Sequence, residues 1–408
     1  MEDKIAIVTS GFLPVPATKG GAVENLIVNM ISENEKEKKE KFLIYSIYDD
    51  QAKIESEKFK YTKFKFFKMG IIVRSADKII HFIAKNIMKK SNSQSYRYII
   101  QRLSFLWKIS KDLKKNNYKK VLLENHPTQY LCLKWKKNYK KYDGRYYYHC
   151  HNEFPGTYGC NEIIKNTKNI ICVSEYIKKT VSKSINSDGN NFSVLRNGIN
   201  AKRFSKDIKD SERREILKKY NINIGEKILI FTGRFVPEKG ILELVEAIKK
   251  VKYKNFKLLI IGSPLNSLNT KTEYEKQIEK SLDGIEDKVI FTGFIKYEEI
   301  NKMYKCADFA VIPSIWDDPA PLTIIESLVS GLPIITTNSG GIPEYATDGA
   351  AIIIKRDENI IDNLSKSIDK LLNDEELCIK MSKIGKEVSK KLTMEEYYNN
   401  FIQIMEVK

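Results

Sequence analysis

No two cysteines stand at C-x-x-C spacing: Cys132, Cys150, Cys160, Cys172, Cys306 and Cys378 are scattered, which excludes a disulfide scaffold or a compact zinc module and points to a reducing compartment. Glycine (20) and proline (11) are too few in 408 residues for a collagenous or low-complexity chain. No stretch approaches the roughly 18 continuous apolar residues of a membrane-spanning helix. The start, MEDKIAIVTSGF, lacks the basic flank and longer apolar core of a secretory signal. A cytoplasmic protein is expected. What is present is an ordinary globular balance, 42% apolar and 30% charged, long enough for two or three domains at about 150 residues each.

The formal net charge of +18 is uneven. Residues 1–200 hold 37 Lys+Arg against 19 Asp+Glu, residues 201–408 hold 33 of each, and residues 61–141 alone hold 21 against 3. In that block cations alternate with large apolar groups: Tyr61 to Lys68, then Ile79, Ile80, Phe82, Ile83, Ile87 and Met88 among Lys78, Lys85, Lys89 and Lys90. On a helix the second group forms an apolar stripe flanked by ammonium groups. It can lie in an anionic membrane interface, or pack its stripe on the core while the lysines are solvated. A nucleic-acid surface ranks last, because no recognition motif accompanies the lysines.

Short apolar runs without period-2 alternation recur at 5–9, 42–48, 121–123, 146–149 and 170–173, then at 228–232, 258–261, 289–292, 309–312, 334–337 and 351–354. Helix-like segments separate them, as expected for parallel strands buried on both faces. The fold class is α/β: two doubly wound, Rossmann-like domains, 1–200 and 201–393, facing a cleft. The C-terminal helix, 394–408, either closes the second domain or crosses back to the first.

Gly233-Arg234-Phe235-Val236-Pro237-Glu238-Lys239-Gly240 follows one such run and precedes a helix. Arg grips phosphate oxygens bidentately and Lys adds a mobile charge, so this turn suits a diphosphate; taken alone, a solvated turn with Arg capping a carbonyl is the better reading. In Asp317-Asp318-Pro319-Ala320-Pro321-Leu322-Thr323-Ile324-Ile325-Glu326, Pro321 suits a helix start, which aims the amides of Leu322 and Thr323 at an anion. Glu326, one turn further in, can accept from a ribose diol, and Asp318 from a sugar.

These residues carry a resemblance to the family 4 glycosyltransferases of the two-domain GT-B type, over essentially the whole chain. Asp318-x7-Glu326 with Gly331-Leu332-Pro333 resembles the family's Glu-x7-Glu and G-x-P turn, with Asp for the first Glu. Gly340-Gly341-Ile342-Pro343-Glu344 is similar to its GG-x-PE, Gly233-Arg234 and Lys239-Gly240 to its G-R and K-G, and Phe291-Thr292-Gly293 to its F-x-G strand end. Asn197-Gly198 with Phe204 matches its linker, and Gly20-Gly21 with Glu24 its first glycine loop, set against the donor phosphates. His151-Asn152-Glu153 resembles the element whose imidazole faces the transferred sugar; the choice of His151 over His149 rests on that resemblance, and a His-x-His metal pair lacks a matching third ligand.

The resemblance implies a retaining enzyme that moves a hexose or N-acetylhexosamine from a UDP-sugar to a hydroxyl of a surface glycan, lipid-linked, with no metal or other cofactor. It implies an acceptor-binding first domain, a donor-binding second domain and a peripheral place on the inner face of the cell membrane. His151, Arg234, Lys239 and Asp318 are expected at the reacting centre, with Gly20, Gly21, Gly233, Gly293, Leu322, Thr323 and Glu326 on the donor. A sugar-nucleotide epimerase of the same fold and a non-catalytic coat or scaffold protein are the alternatives.

Overall fold

The computed structural model describes residues 2–88, 96–262, 272–347 and 349–406. The chain forms two units: Met1–Arg196 with Tyr397–Lys408, and Asn197–Glu396.

The first unit is built on strands β1 (Glu2–Val8), β2 (Phe42–Ile47), β3 (Lys63–Phe67), β4 (Tyr118–Glu124), β5 (Tyr146–Cys150), β6 (Asn169–Cys172) and β7 (Phe192–Val194). They form one parallel sheet in the order β3-β2-β1-β4-β5-β6-β7. The central strands are buried on both faces over stretches such as 5–8 and 121–123, and those stretches are apolar. Edge strand β3 differs. Its pleat separates Phe64 and Phe66, whose rings stack on each other, from Lys65 and Phe67, which meet Asp112 and Tyr45. Lysines along an edge deter pairing with another chain.

The 78–88 stripe does not pack on the core. Helix Ile71–Phe82 continues into a π-helical turn, Ile83–Ile87, and buries only Asp77 and Ala84. Ile72, Ile79 and Ile87 are 86, 60 and 68% exposed. Asp77 accounts for the orientation: its carboxylate accepts from the amides of Ile100 and Gln101, at the start of helix Ile99–Lys115. Lys89 and Lys90 lie outside the described residues. Among those described, no helix is long and apolar enough to cross a membrane.

The second unit carries β8 (Lys227–Thr232), β9 (Phe256–Ile261), β10 (Val289–Gly293), β11 (Phe309–Ile312), β12 (Ile334–Thr337) and β13 (Ala351–Ile354), parallel in the order β10-β9-β8-β11-β12-β13. Successive residues of β8 feed opposite cores: Leu229 and Phe231 join one cluster, Ile228 and Ile230 the other. Helix Ile241–Lys250 covers the first of these with Ile241, Leu244, Val245 and Ile248, one stripe at helical spacing.

Helix Met394–Glu406 joins the first unit from Tyr397 onward. There Tyr398 donates to Asn34 Oδ1 at 2.6 Å, and Phe401 meets Phe42 edge to face. In each sheet the order reverses beside the first strand, between β1 and β4 and between β8 and β11. Loops leaving the carboxyl ends of such a pair diverge and open a crevice.

Candidate functional site

In the second unit the loops after β8 and β11 meet at that reversal. Pro237–Lys239 forms a single 3-10 turn that ends on Gly240, whose φ is +71°. A Cβ on Gly240 would stand 2.0 Å from the Pro313 carbonyl oxygen, so only glycine lets the two loops touch. Lys239 Nζ thereby reaches Asp318 Oδ2 at 2.5 Å, both side chains largely buried. Main-chain bonds fix Asp318: its carbonyl accepts from the Gly341 amide, and Asp317 Oδ1 accepts from Gly340. The GG-x-PE segment is thus a clamp on the acidic loop. Arg234 is exposed on the same loop as Lys239.

Helix Leu322–Ser330 opens after Pro321 and ends on Gly331 in the left-handed region. Ile324 N bonds back to Pro321 O, and no hydrogen bond of the Leu322 or Thr323 amide is found among the described residues. Two donors and the positive end of the helix dipole therefore face the crevice. Glu326, 5% exposed, accepts from Tyr304 OH at 2.8 Å, and Tyr304 in turn sits 2.6 Å from Thr232 Oγ1. Burial pushes the Glu326 carboxyl up to about 7, against the hydrogen bonds of Tyr304 and Tyr297.

Gly233 and Gly293 lie at the ends of β8 and β10, with Gly262, at the end of the intervening β9, between them. Its amide donates to Gly293 O at 3.2 Å, and a Cβ on it would stand 1.8 Å from Gly233 O. The sequence reading missed Gly262, Tyr304 and Tyr297; a glycine directly after the apolar run 258–261 was the available signal for the first, and no pattern marks the tyrosines.

In the first unit, Gly20 and Gly21 take φ of +76° and +102° before helix Ala22–Glu37. A Cβ on Gly21 would stand 2.2 Å from Glu24 Oε2. Ser10, just past β1, donates to Glu24 Oε1 at 2.8 Å, and burial pushes that carboxyl up. Beside this loop, at the ends of β4 and β5, Glu124 stands opposite His149 in register. Glu124 Oε2 lies 3.2 Å from both His149 Nδ1 and His151 Nε2, and the two imidazole centroids are 4.0 Å apart. Exposure is 1% for Glu124 and His149 and 8% for His151, so His151 is the more accessible imidazole.

Burial disfavours the ionised Glu124, yet the two imidazoles hold it below the usual carboxylate range. Burial first, then His149, pushes His151 down to about 4. The loops are tied by Asn152 Nδ2 donating to Asn125 Oδ1 at 2.9 Å. Glu124 is the third group that the His-x-His pair lacked in sequence. With the histidines it is the one cluster among the described residues able to hold a metal ion, its ligand atoms lying within 4.8 Å of one another. An acid closing the apolar run VLLE was its only signal.

Residues 212–388 match the family Glycosyl transferases group 1. An uncharacterized glycosyltransferase of Methanocaldococcus jannaschii, MJ1607, is 30% identical over 50% of this chain and 51% of its own length. Lipopolysaccharide 1,2-N-acetylglucosaminetransferase of Salmonella typhimurium is 26% identical over 56% of this chain and 58% of its own. The chain thus spans little more than half the length of these relatives. Among solved structures, HepE of Anabaena in complex with UDP and glucose superposes with a TM-score of 0.72 at 14% identity, covering 98% of this chain and 99% of that one. The chain has the GT-B fold, and the match to the group 1 glycosyl transferases lies within its second unit, over residues 212–388.

Proposed function

We propose that this protein is a retaining glycosyltransferase that moves a hexose or N-acetylhexosamine from a UDP-sugar to a hydroxyl of a surface-glycan acceptor, itself lipid-linked. The observation that carries the reading is the crevice of the second unit, where Lys239, Asp318 and the amides of Leu322 and Thr323 gather beside buried Glu326. Support for UDP comes from the complex of HepE, and for a surface glycan from the lipopolysaccharide enzyme.

In this reading the diphosphate lies against Arg234, Lys239 and the helix amides, while Glu326 takes the ribose hydroxyls. Asp318, now neutralised by Lys239, takes a sugar hydroxyl, so the two partners of one ion pair divide the donor between them. Gly20, Gly21, Gly233 and Gly293 are bare backbone for the ligand to approach. His151 is assigned to the transferred sugar.

The bond from the anomeric carbon to the phosphate oxygen breaks, and the acceptor oxygen bonds to the same face. The acceptor proton passes to the departing phosphate oxygen, so neither a protein nucleophile nor a metal takes part in the proposed step. Negative charge grows on the diphosphate as it leaves, and cations and amides fixed in place stabilise it more in the transition state than in the ground state. The test is UDP release from UDP-glucose, UDP-galactose and UDP-N-acetylglucosamine with membrane-extracted glycolipid acceptor. We expect acceptor-dependent release with one donor, and a fall well beyond tenfold in Arg234→Ala, on the scale of losing one oxyanion donor. Failure of every UDP-sugar to bind would overturn the reading.

The exposed stripe of Ile72, Ile79 and Ile87 beside Lys78 and Lys85 supports docking of the first unit on an anionic membrane, where lipid-linked acceptors reside.

A further inference from the structure

We infer that Glu124 is a positioning residue: its carboxylate holds His151 as the Nε2–H tautomer, leaving Nδ1 as a bare hydrogen-bond acceptor, while His149 braces the same carboxylate from beneath. The inference rests on the assignment of His151 to the transferred sugar and adds which ring nitrogen that imidazole offers.

The geometry leads there in three steps. Glu124 Oε2 lies 3.2 Å from His151 Nε2 and Oε1 lies 3.3 Å from His149 Nδ1; a carboxylate there only accepts, so both contacts are hydrogen bonds when each nitrogen carries a proton and donates. All three groups are more than nine-tenths buried, so the pattern is shielded from water. His149 Nε2 is buried and has no hydrogen-bond partner among the described residues.

That last fact separates the relay from a metal site. A metal bound at His149 Nδ1 would force the proton onto Nε2 and bury an N–H with no acceptor, whereas the relay leaves only a lone pair there, the smaller loss. The surrounding groups are Ser10 and Glu24 near the end of β1, Tyr148 on β5 and the Tyr397 ring, 6.3 Å from His149.

The protein holds only four histidines, so ¹⁵N-histidine labelling of the full chain gives a spectrum assignable by single substitutions. Long-range ¹H–¹⁵N correlations at pH 7 are expected to show His151 protonated at Nε2 in the wild type. Glu124→Gln, whose amide both donates and accepts, should mix the tautomers, and Glu124→Asp should restore the wild-type pattern at least in part. In turnover, Glu124→Gln should lower kcat by about tenfold or more with KM for the donor within about twofold, and Glu124→Asp should recover part of the loss.

An Nδ1–H tautomer in the wild type, or a His151 pattern unchanged in Glu124→Gln, overturns the proposal. So does stoichiometric Zn²⁺ binding, measured by calorimetry on the wild type and lost in Glu124→Gln. If Glu124→Gln does not fold, the wild-type tautomer and Glu124→Asp decide. The tautomer is read without turnover, so failure of the glycosyltransferase reading leaves this test intact.

Discussion

Glu326 shows how one side chain links burial and stability. Its carboxyl is pushed to about 7 because water is excluded, although Tyr304 and Tyr297 donate to it. A raised carboxyl makes folding tighter while both states are protonated and weaker once the unfolded chain has ionised. Stability from this group is therefore fully present below the ordinary carboxylate range and is lost as pH rises to about 7. Glu326→Gln removes that loss. The melting temperature of the variant relative to wild type should climb between about pH 4.5 and 7 and level off above, the full span being about 3 kcal/mol at most. A constant difference across that range would show that Glu326 is ionised in the folded protein. In the Lys239–Asp318 pair, 2.5 Å apart, each partner offsets the burial of the other. Lys239→Met should therefore cost both stability and donor affinity, read by urea unfolding and by UDP titration; loss of affinity alone would mean Asp318 has found water.

Between elements, the decisive contacts are main chain against main chain. Gly240 at φ +71° touches the Pro313 carbonyl, and Gly262 touches that of Gly233, so the loops after β8, β9 and β11 stand closer than any side chain allows. Gly240→Ala should cost about 1–3 kcal/mol through the left-handed backbone alone, and more through the clash. It should also separate Lys239 from Asp318, seen as weaker UDP binding in a variant that still folds; unchanged affinity would show that the cradle tolerates a wider gap. The apolar runs already marked eleven of the strands because central parallel strands are buried on both faces. Strands β3 and β7 escaped: KFKFF alternates as an edge strand does and was read with its lysines as part of a basic surface, and FSV is too short to stand out.

Across the molecule, burial sharpens the charge asymmetry. The three acids of residues 61–141 are all engaged: Asp77 caps the amides of Ile100 and Gln101, Asp112 accepts from Tyr118 and pairs with Lys65, and Glu124 lies under the imidazoles. The outer surface of this region therefore presents cations around an apolar stripe. Ile72→Asp, Ile79→Asp and Ile87→Asp together should reduce binding to phosphatidylglycerol vesicles more than tenfold. The melting temperature should stay within about 2 °C, since the three side chains are exposed. Vesicle binding equal to wild type would remove the membrane from the proposed function.

The sequence by itself determined the α/β class and the placing of Arg234, Lys239, Asp318 and Glu326 on loops and a helix start, because strand burial and helix capping are local and leave composition patterns. Only the tertiary structure decided that Lys239 reaches Asp318, that Glu124 lies between two imidazoles, and that the stripe of Ile72, Ile79 and Ile87 faces outward. Those are contacts between segments 25 to 79 residues apart, or a choice between two faces of one helix, set by which strands neighbour one another and by where Asp77 finds its amides.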